Sequence, residues 1–299
     1  MSCRRSSTII LMVTLLAASS ALLRAQKAET TAQTAAQKQE TKPPTLGEIL
    51  QRLQENVDQY QALVPSFFCD EHVVSTIIPD PRHESTVTDS TFRLKRVPAP
   101  GAEGKTVLEE SHEVKMVNGR PATGDSVSGP AYLRGAFSNG LALVSASQQA
   151  CMRTTLRPMG KNKSSTPFVI QFASVSASKR PNDCRMQEDV SGRVLIDPET
   201  MQVTHVEFTA PRHLIGTTVN TDFYGLRLDE TTLVGRWDVT VEYAPVLLGG
   251  KSFWLPTKVS DRMRSNLVRN RWSYDATYSN YHKLEVTSRI LPASGAPAP

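Results

Sequence analysis

In the stretch Trp237-Asp238-Val239-Thr240-Val241-Glu242-Tyr243 every second residue is apolar and the residues between are polar. Successive side chains of an extended strand point to opposite faces, so Trp237, Val239, Val241 and Tyr243 share one side while Asp238, Thr240 and Glu242 share the other. The pattern returns in Trp272, Tyr274, Ala276 and Tyr278, which alternate with Ser273, Asp275, Thr277 and Ser279, and in Leu284, Val286 and Ile290 against Glu285, Thr287 and Arg289. Period-2 segments separated by turn residues are the signature of an antiparallel meander. Asp197-Pro198-Glu199-Thr200 and Leu248-Gly249-Gly250-Lys251 supply two of those turns.

Working outward, strands are expected at Pro167 to Val175, Gly192 to Ile196, Gln202 to Thr209, Trp237 to Tyr243, Phe253 to Met263, Arg271 to Asn280 and Leu284 to Ile290. Pro256 inside the Phe253 strand calls for a sheet edge or a bulge. Weaker alternation marks three earlier strands, Glu71 to Ile78, Thr86 to Val97 and Thr106 to Val117, the last closing on Asn118-Gly119. The segment Ala131 to Cys151 is apolar and small, with Arg134 its only charge, and reads as one or two short helices broken near Asn139-Gly140.

One long helix is expected from Leu46 to Val64. Leu46, Ile49, Leu50, Leu53, Val57, Tyr60 and Val64 form an apolar stripe at helical spacing, Thr45 and Glu48 form a capping box, and Pro65 ends the run. The fold class is therefore mainly β (α+β): a curved antiparallel sheet or half-barrel with an amphipathic helix and short helices on one face.

The ends have a different character. Residues 1–25 place Arg4 and Arg5 before an apolar run from Ile9 to Leu23, followed by Arg24-Ala25. This suits a secretory signal peptide, with Gln26 as the first mature residue and a cut after Ala21 as the alternative. The run is 15 residues, short of the roughly 20 that span a bilayer, so no transmembrane span is expected in the mature chain. Residues 26–44 carry no apolar side chain larger than Ala and read as a disordered leader. Residues 45–291 form a single β-rich domain, and 292–299 a Pro/Ala/Gly tail.

The formal net charge is +5. Arg4, Arg5 and Arg24 leave with the signal and no acid does, so the mature chain carries 31 basic and 29 acidic residues. Lys258, Arg262, Arg264, Arg269 and Arg271 gather around one hairpin, which reads as a solvated hairpin end, and no nucleic-acid partner is expected. Three cysteines remain after export. Sequence permits three pairings, of which Cys151 with Cys184 is favoured because both flank a polar excursion, while Cys69 follows Phe67-Phe68 and is expected to be buried.

No catalytic constellation emerges. Gly250-Lys251-Ser252 lacks the earlier glycine and the strand-to-helix context of a phosphate loop. Gly124-Asp125-Ser126 resembles a protease nucleophile segment, yet His72, His83 and His112 sit in no protease motif. The six histidines show no metal-ligand spacing, with His205 and His213 read as strand and loop residues, so neither metal nor cofactor is expected. Asp70-Glu71 and Glu109-Glu110 are sequence neighbours that strands would point apart. Asn162-Lys163-Ser164 matches a glycosylation acceptor.

The leading helix, the Ile196-Asp197-Pro198-Glu199 turn, the Val241-Glu242-Tyr243 and Phe253-Trp254-Leu255-Pro256 strands, the closing Tyr278-Ser279-Asn280-Tyr281 and the signature Phe68-Cys69-Asp70-Glu71 together resemble a known group. It comprises uncharacterised secreted bacterial proteins similar to the half-barrel of periplasmic lipoprotein carriers (LolA-like) and to the RseB-like envelope-stress sensors. In the carrier fold, the resemblance implies, a curved sheet wraps helices around an apolar cavity that receives acyl chains. Here the lining would be Trp237, Val239, Val241, Tyr243, Phe253, Leu255, Trp272, Tyr274 and Tyr278. The alternative is that these residues fill an ordinary core. The resulting expectation is a periplasmic or secreted, non-enzymatic binder of a lipid or acyl ligand. An envelope scaffold or sensor that binds another protein is the alternative, and a hydrolase comes third.

Overall fold

A computed structural model describes residues 43–78, 84–99, 101, 104–123, 136–137, 143–157, 166–218, 231–265 and 271–284, with backbone alone at 214–218 and 231–234. Readings that fall on the signal, the leader, the tail, His83, Gly124-Asp125-Ser126, Asn139-Gly140, Asn162-Lys163-Ser164, Arg269 and the strand beyond Leu284 lie outside the described residues.

Helix α1 (Leu46–Leu63) begins as its sequence dictates. The Thr45 side chain accepts from the Glu48 N–H, and the Glu48 carboxylate returns to the Thr45 backbone at 2.6 Å. Two end donors are thereby satisfied within the chain itself. Ile49, Leu50, Leu53, Val57 and Tyr60 are buried along one stripe. Val64, the residue before Pro65, has left the helical region, as proline requires of its predecessor.

Eleven strands follow: β1 (Phe67–Ile78), β2 (Glu84–Pro98), β3 (Thr106–Val117), β4 (Arg120–Pro121), β5 (Met152–Leu156), β6 (Phe168–Ser174), β7 (Ser191–Ile196), β8 (Val203–Thr218), β9 (Thr231–Leu248), β10 (Lys251–Ser265) and β11 (Arg271–Lys283). They form one open antiparallel sheet in the order β4-β3-β2-β1-β11-β10-β9-β8-β7-β6-β5. Two meanders, β1 to β4 and β5 to β11, are thus joined side by side through the one pairing that is distant in sequence, β1 with β11.

Register shows which face is the core. Val117, Thr88, Val73, Ala276, Val259, Val241, Val206, Val194, Ile170 and Leu156 are direct partners across ten consecutive strands. Val73 through Ile170 in that row are buried. Cross-strand pairs of β-branched residues stabilise a sheet by up to about 1 kcal/mol each, and a one-residue slip would move the whole row into water. The opposite face carries ion pairs: Arg236 with Asp238, Arg262 with Asp275 and Arg193 with Glu207.

Several expectations need correction in detail. β8 to β11 are all longer than their alternating cores suggest, and β1 starts at Phe67. β5 lies in a stretch for which no element was expected, and β4 is a two-residue strand beyond Asn118-Gly119. In Ala131 to Cys151 the described residues hold turns and one 3-10 turn at Ala146–Gln148. Pro256 sits at a bulge, with the β9 register shifting between Pro256 and Lys258. β10 pairs with β11 only from Lys258 onward, so Pro256 also stands where β10 has a ladder on the β9 side alone. The Cys151–Cys184 disulfide is present and Cys69 is free and buried.

Candidate functional site

The expected lining residues share the core face. Val239, Val241, Tyr243, Phe253, Leu255, Tyr274 and Tyr278 are buried, whereas Trp237 and Trp272 are half-buried. The face has two ends, one on either side of the valine row.

At the first end, α1 lies against the hairpin tips. Asn56 donates to the Met201 carbonyl in the β7–β8 turn, and Tyr60 donates to the Phe137 carbonyl at 2.8 Å. Phe67, Phe92, Phe137, Tyr278 and Tyr281 form a closed aromatic cluster with centroids 4.2 to 6.2 Å apart. Tyr281 belongs to it only because Asn280 takes a left-handed φ of 54° where the β1–β11 register slips. That bulge turns Tyr281 to the face already occupied by Tyr278. Burial pushes the Tyr60, Tyr243, Tyr278 and Tyr281 hydroxyls and the Cys69 thiol far up, so all stay protonated. An un-ionised, buried thiol is inert. Beside α1 lies a small hollow of about 110 Å³ bounded by Asn56, Tyr60, Leu63, Lys251 and Phe253.

At the second end, the face is aromatic without being sealed. Trp237 pairs with Met263, Met263 with Trp272, and Trp272 with Ile77, and all four are half-buried. Trp237 is packed edge-on by Phe208 at 5.4 Å and stacked by His213 at 4.4 Å. The His213 ring is itself held by Glu188, 2.8 Å from Nδ1. Gly192 lies between Phe172 and Phe208 in register, and a Cβ there would stand 2.0 Å from the Glu207 carbonyl, so only glycine lets β7 approach β8 this closely.

Ionisable side chains interrupt this face, and the apolar reading of it missed them. Glu71 meets His112 Nδ1 at 2.6 Å with side chains only 2% and 8% exposed, and Tyr274 donates to the same carboxylate at 3.4 Å. Asp261, 1% exposed, lies between Val239 and Tyr274 in register. Burial pushes its carboxyl up to about 6, against smaller downward contributions from the Trp237 indole, Arg262 and His213. The signal was present as parity: Glu71 falls between Cys69 and Val73, and Asp261 between Val259 and Met263. Each adjacent acidic pair does split across the sheet, but Glu71 and Glu110 of different strands come to the same side, where Glu110 accepts from the Phe137 N–H at 3.1 Å. His213, expected in a loop, lies on β8 and is part of this end of the face. Arg262 of the basic hairpin is engaged by both Asp275 oxygens at 2.8 and 2.9 Å. Among the described residues no cluster of His, Cys, Asp or Glu could hold a metal, and no helix is long and apolar enough to cross a membrane.

No family model and no curated protein sequence matches the chain. Solved structures similar to it include an outer membrane lipoprotein-sorting protein domain from Vibrio parahaemolyticus, 11% identical with a TM-score of 0.31, covering 77% of this chain and 89% of that one. A DUF1329 family protein from Desulfovibrio piger is 9% identical with a TM-score of 0.36, covering 82% and 96%. MucB, solved in complex with MucA(peri), is 12% identical with a TM-score of 0.18, covering 79% and 94%.

Proposed function

We propose that the chain is an exported, non-enzymatic binding protein of the cell envelope, and that it takes an apolar ligand such as a lipid on the tryptophan end of its sheet. The observation that carries this reading is the run Trp237, Met263, Trp272 and Ile77, half-buried and paired in register across four adjacent strands on the core face. Aromatic and thioether side chains joined to a packed floor give a ligand a large apolar contact on pre-ordered groups. The remaining lining residues are buried and act as support. The disulfide suits an oxidising compartment.

Mass spectrometry of the protein purified from its own host is the test. A lipid or other apolar molecule retained at near one per chain supports the reading. A second reading, a scaffold that binds protein, has one observation in its favour. Among the described strands β5 is the last of the sheet, with only β6 beside it, so it offers a free edge for strand addition. A stoichiometric protein with no lipid would favour that reading and overturn the first.

A further inference from the structure

A carboxyl group lies in the floor of the core face, beside the row that an apolar ligand would meet. Asp261 is 1% exposed, and its register partners are Val239 on β9 and Tyr274 on β11. Two residues further along β10 comes Met263, whose partners are Trp237 and Trp272. Two residues back comes Val259 of the buried row. Asp261 therefore occupies the inward position where the sealed part of the face meets the half-buried run.

The Trp237 indole acts on this carboxyl as its hydrogen-bond donor. Among the described residues no cation pairs with it. Arg262, next to it on β10, turns to the opposite face and clasps Asp275 of β11. His213 of β8 stacks on Trp237 and gives Nδ1 to Glu188, so any charge on that ring is matched there. Tyr274 sends its hydroxyl to Glu71 of β1. One neutral donor does little to replace the water that a carboxylate loses on burial. The group is accordingly neutral in mild acid and charged at pH 7.5.

We propose that Asp261 gates the apolar site by pH: while its carboxyl is protonated the ligand is held on the tryptophan run, and ionisation of the carboxyl releases it. The physical reason is desolvation. In the free protein Trp237, Met263 and Trp272 are half-buried, so water over them still screens a charge lying one step beneath. An apolar ligand displaces that water, lowers the local dielectric and penalises the charged form further. Proton and ligand then favour each other by the same factor. Because the free carboxyl is held up at about 6, affinity is complete below that value and falls as pH rises past it. The gate rests on the apolar-ligand reading above and adds its regulation.

The experiment is calorimetric titration of the full chain with 1-decanol, which does not ionise in this range, at pH 5.0 and pH 7.5. It is run on the native protein, Asp261→Asn and His213→Gln. The native protein is expected to bind about tenfold more tightly at pH 5.0. Asp261→Asn should bind at both pH values with the affinity that the native protein shows at pH 5.0, and His213→Gln should keep the native difference. Native titrations at pH 6.5 in two buffers of different ionisation heat read proton uptake without any variant, and about half a proton per bound ligand is expected. Equal native affinity at the two pH values, no proton uptake, a difference that survives in Asp261→Asn, or one lost in His213→Gln overturns the gate and leaves the apolar-ligand reading standing. No decanol binding at either pH overturns both.

Discussion

The two ends of the core face are built from one alternating pattern and come out differently. Under α1, the inward residues Phe67, Phe92, Tyr278 and Tyr281 meet one another and Phe137, and form a sealed core. Beyond the valine row, Trp237, Met263 and Trp272 have the same parity and comparable bulk, yet stay half-buried. Period 2 determines which side a residue takes. What covers that side is decided by elements far away in the chain, here a helix that starts at Leu46.

The comparison can be broken first at the sealed end. Phe92→Ala removes a ring that contacts four others, and about 4 kcal/mol of stability is expected to go with it. Trp272→Ala should cost less than about 1.5 kcal/mol, because its area is already part-solvated. Denaturant unfolding of both variants checks the contrast, and equal losses would mean that the ends do not differ.

Next in size is the buried Glu71–His112 pair. Glu71→Leu strands the imidazole and is expected to cost about 3 kcal/mol, while adding His112→Phe should recover most of it. A double-mutant cycle that shows no recovery would contradict the pairing.

Asp261 sharpens the comparison through pH. Its folded carboxyl is held at about 6, above its ordinary value, so the folded state binds the extra proton. Stability is then complete below the unfolded value near 4, and is lost as pH rises to 6, by an amount on the order of 3 kcal/mol. Asp261→Asn should therefore be the more stable protein at pH 7.5 and show no advantage at pH 4. Outward-facing Asp238 has its pKa lowered, chiefly by the Arg236 hydrogen bond. Its contribution has the opposite sign, present at neutral pH and lost as the solution is acidified.

The smallest effect belongs to the helix that makes the ends unequal. Thr45→Ala deletes the cap and should cost about 1 kcal/mol. It is expected to raise hydrogen exchange in the first turn of α1 and leave the tryptophan end unaltered.

Much of this was legible because it is local. The capping box, the turn at Asp197, whose carboxylate accepts from the backbone of Glu199 and Thr200, and the strand parity of Trp237 to Tyr243 each depend on a few adjacent residues. The disulfide followed from where Cys151 and Cys184 flank a polar excursion. Other features were not local. The β1–β11 pairing that fuses two meanders joins residues some 200 positions apart, and no short window contains it. Tyr281 reaches the core only through the strained backbone of Asn280. Met152 to Leu156 is too short and too mixed to stand out as a strand. Glu71 and Asp261 had the right parity to be inside, but a search for apolar runs passes over a carboxylate in an inward position.

The tryptophans offer the most direct measurement of the central claim, that the half-buried end of the face receives an apolar molecule. Trp237 and Trp272 lie at that end, and Trp254 lies on β10 next to the small hollow under α1. A bromine-labelled long-chain alcohol, titrated into Trp254→Phe, should quench the remaining fluorescence saturably at about one molecule per chain, and should leave a variant retaining only Trp254 bright. Unsaturable quenching in the first protein, or equal quenching in both, would contradict it.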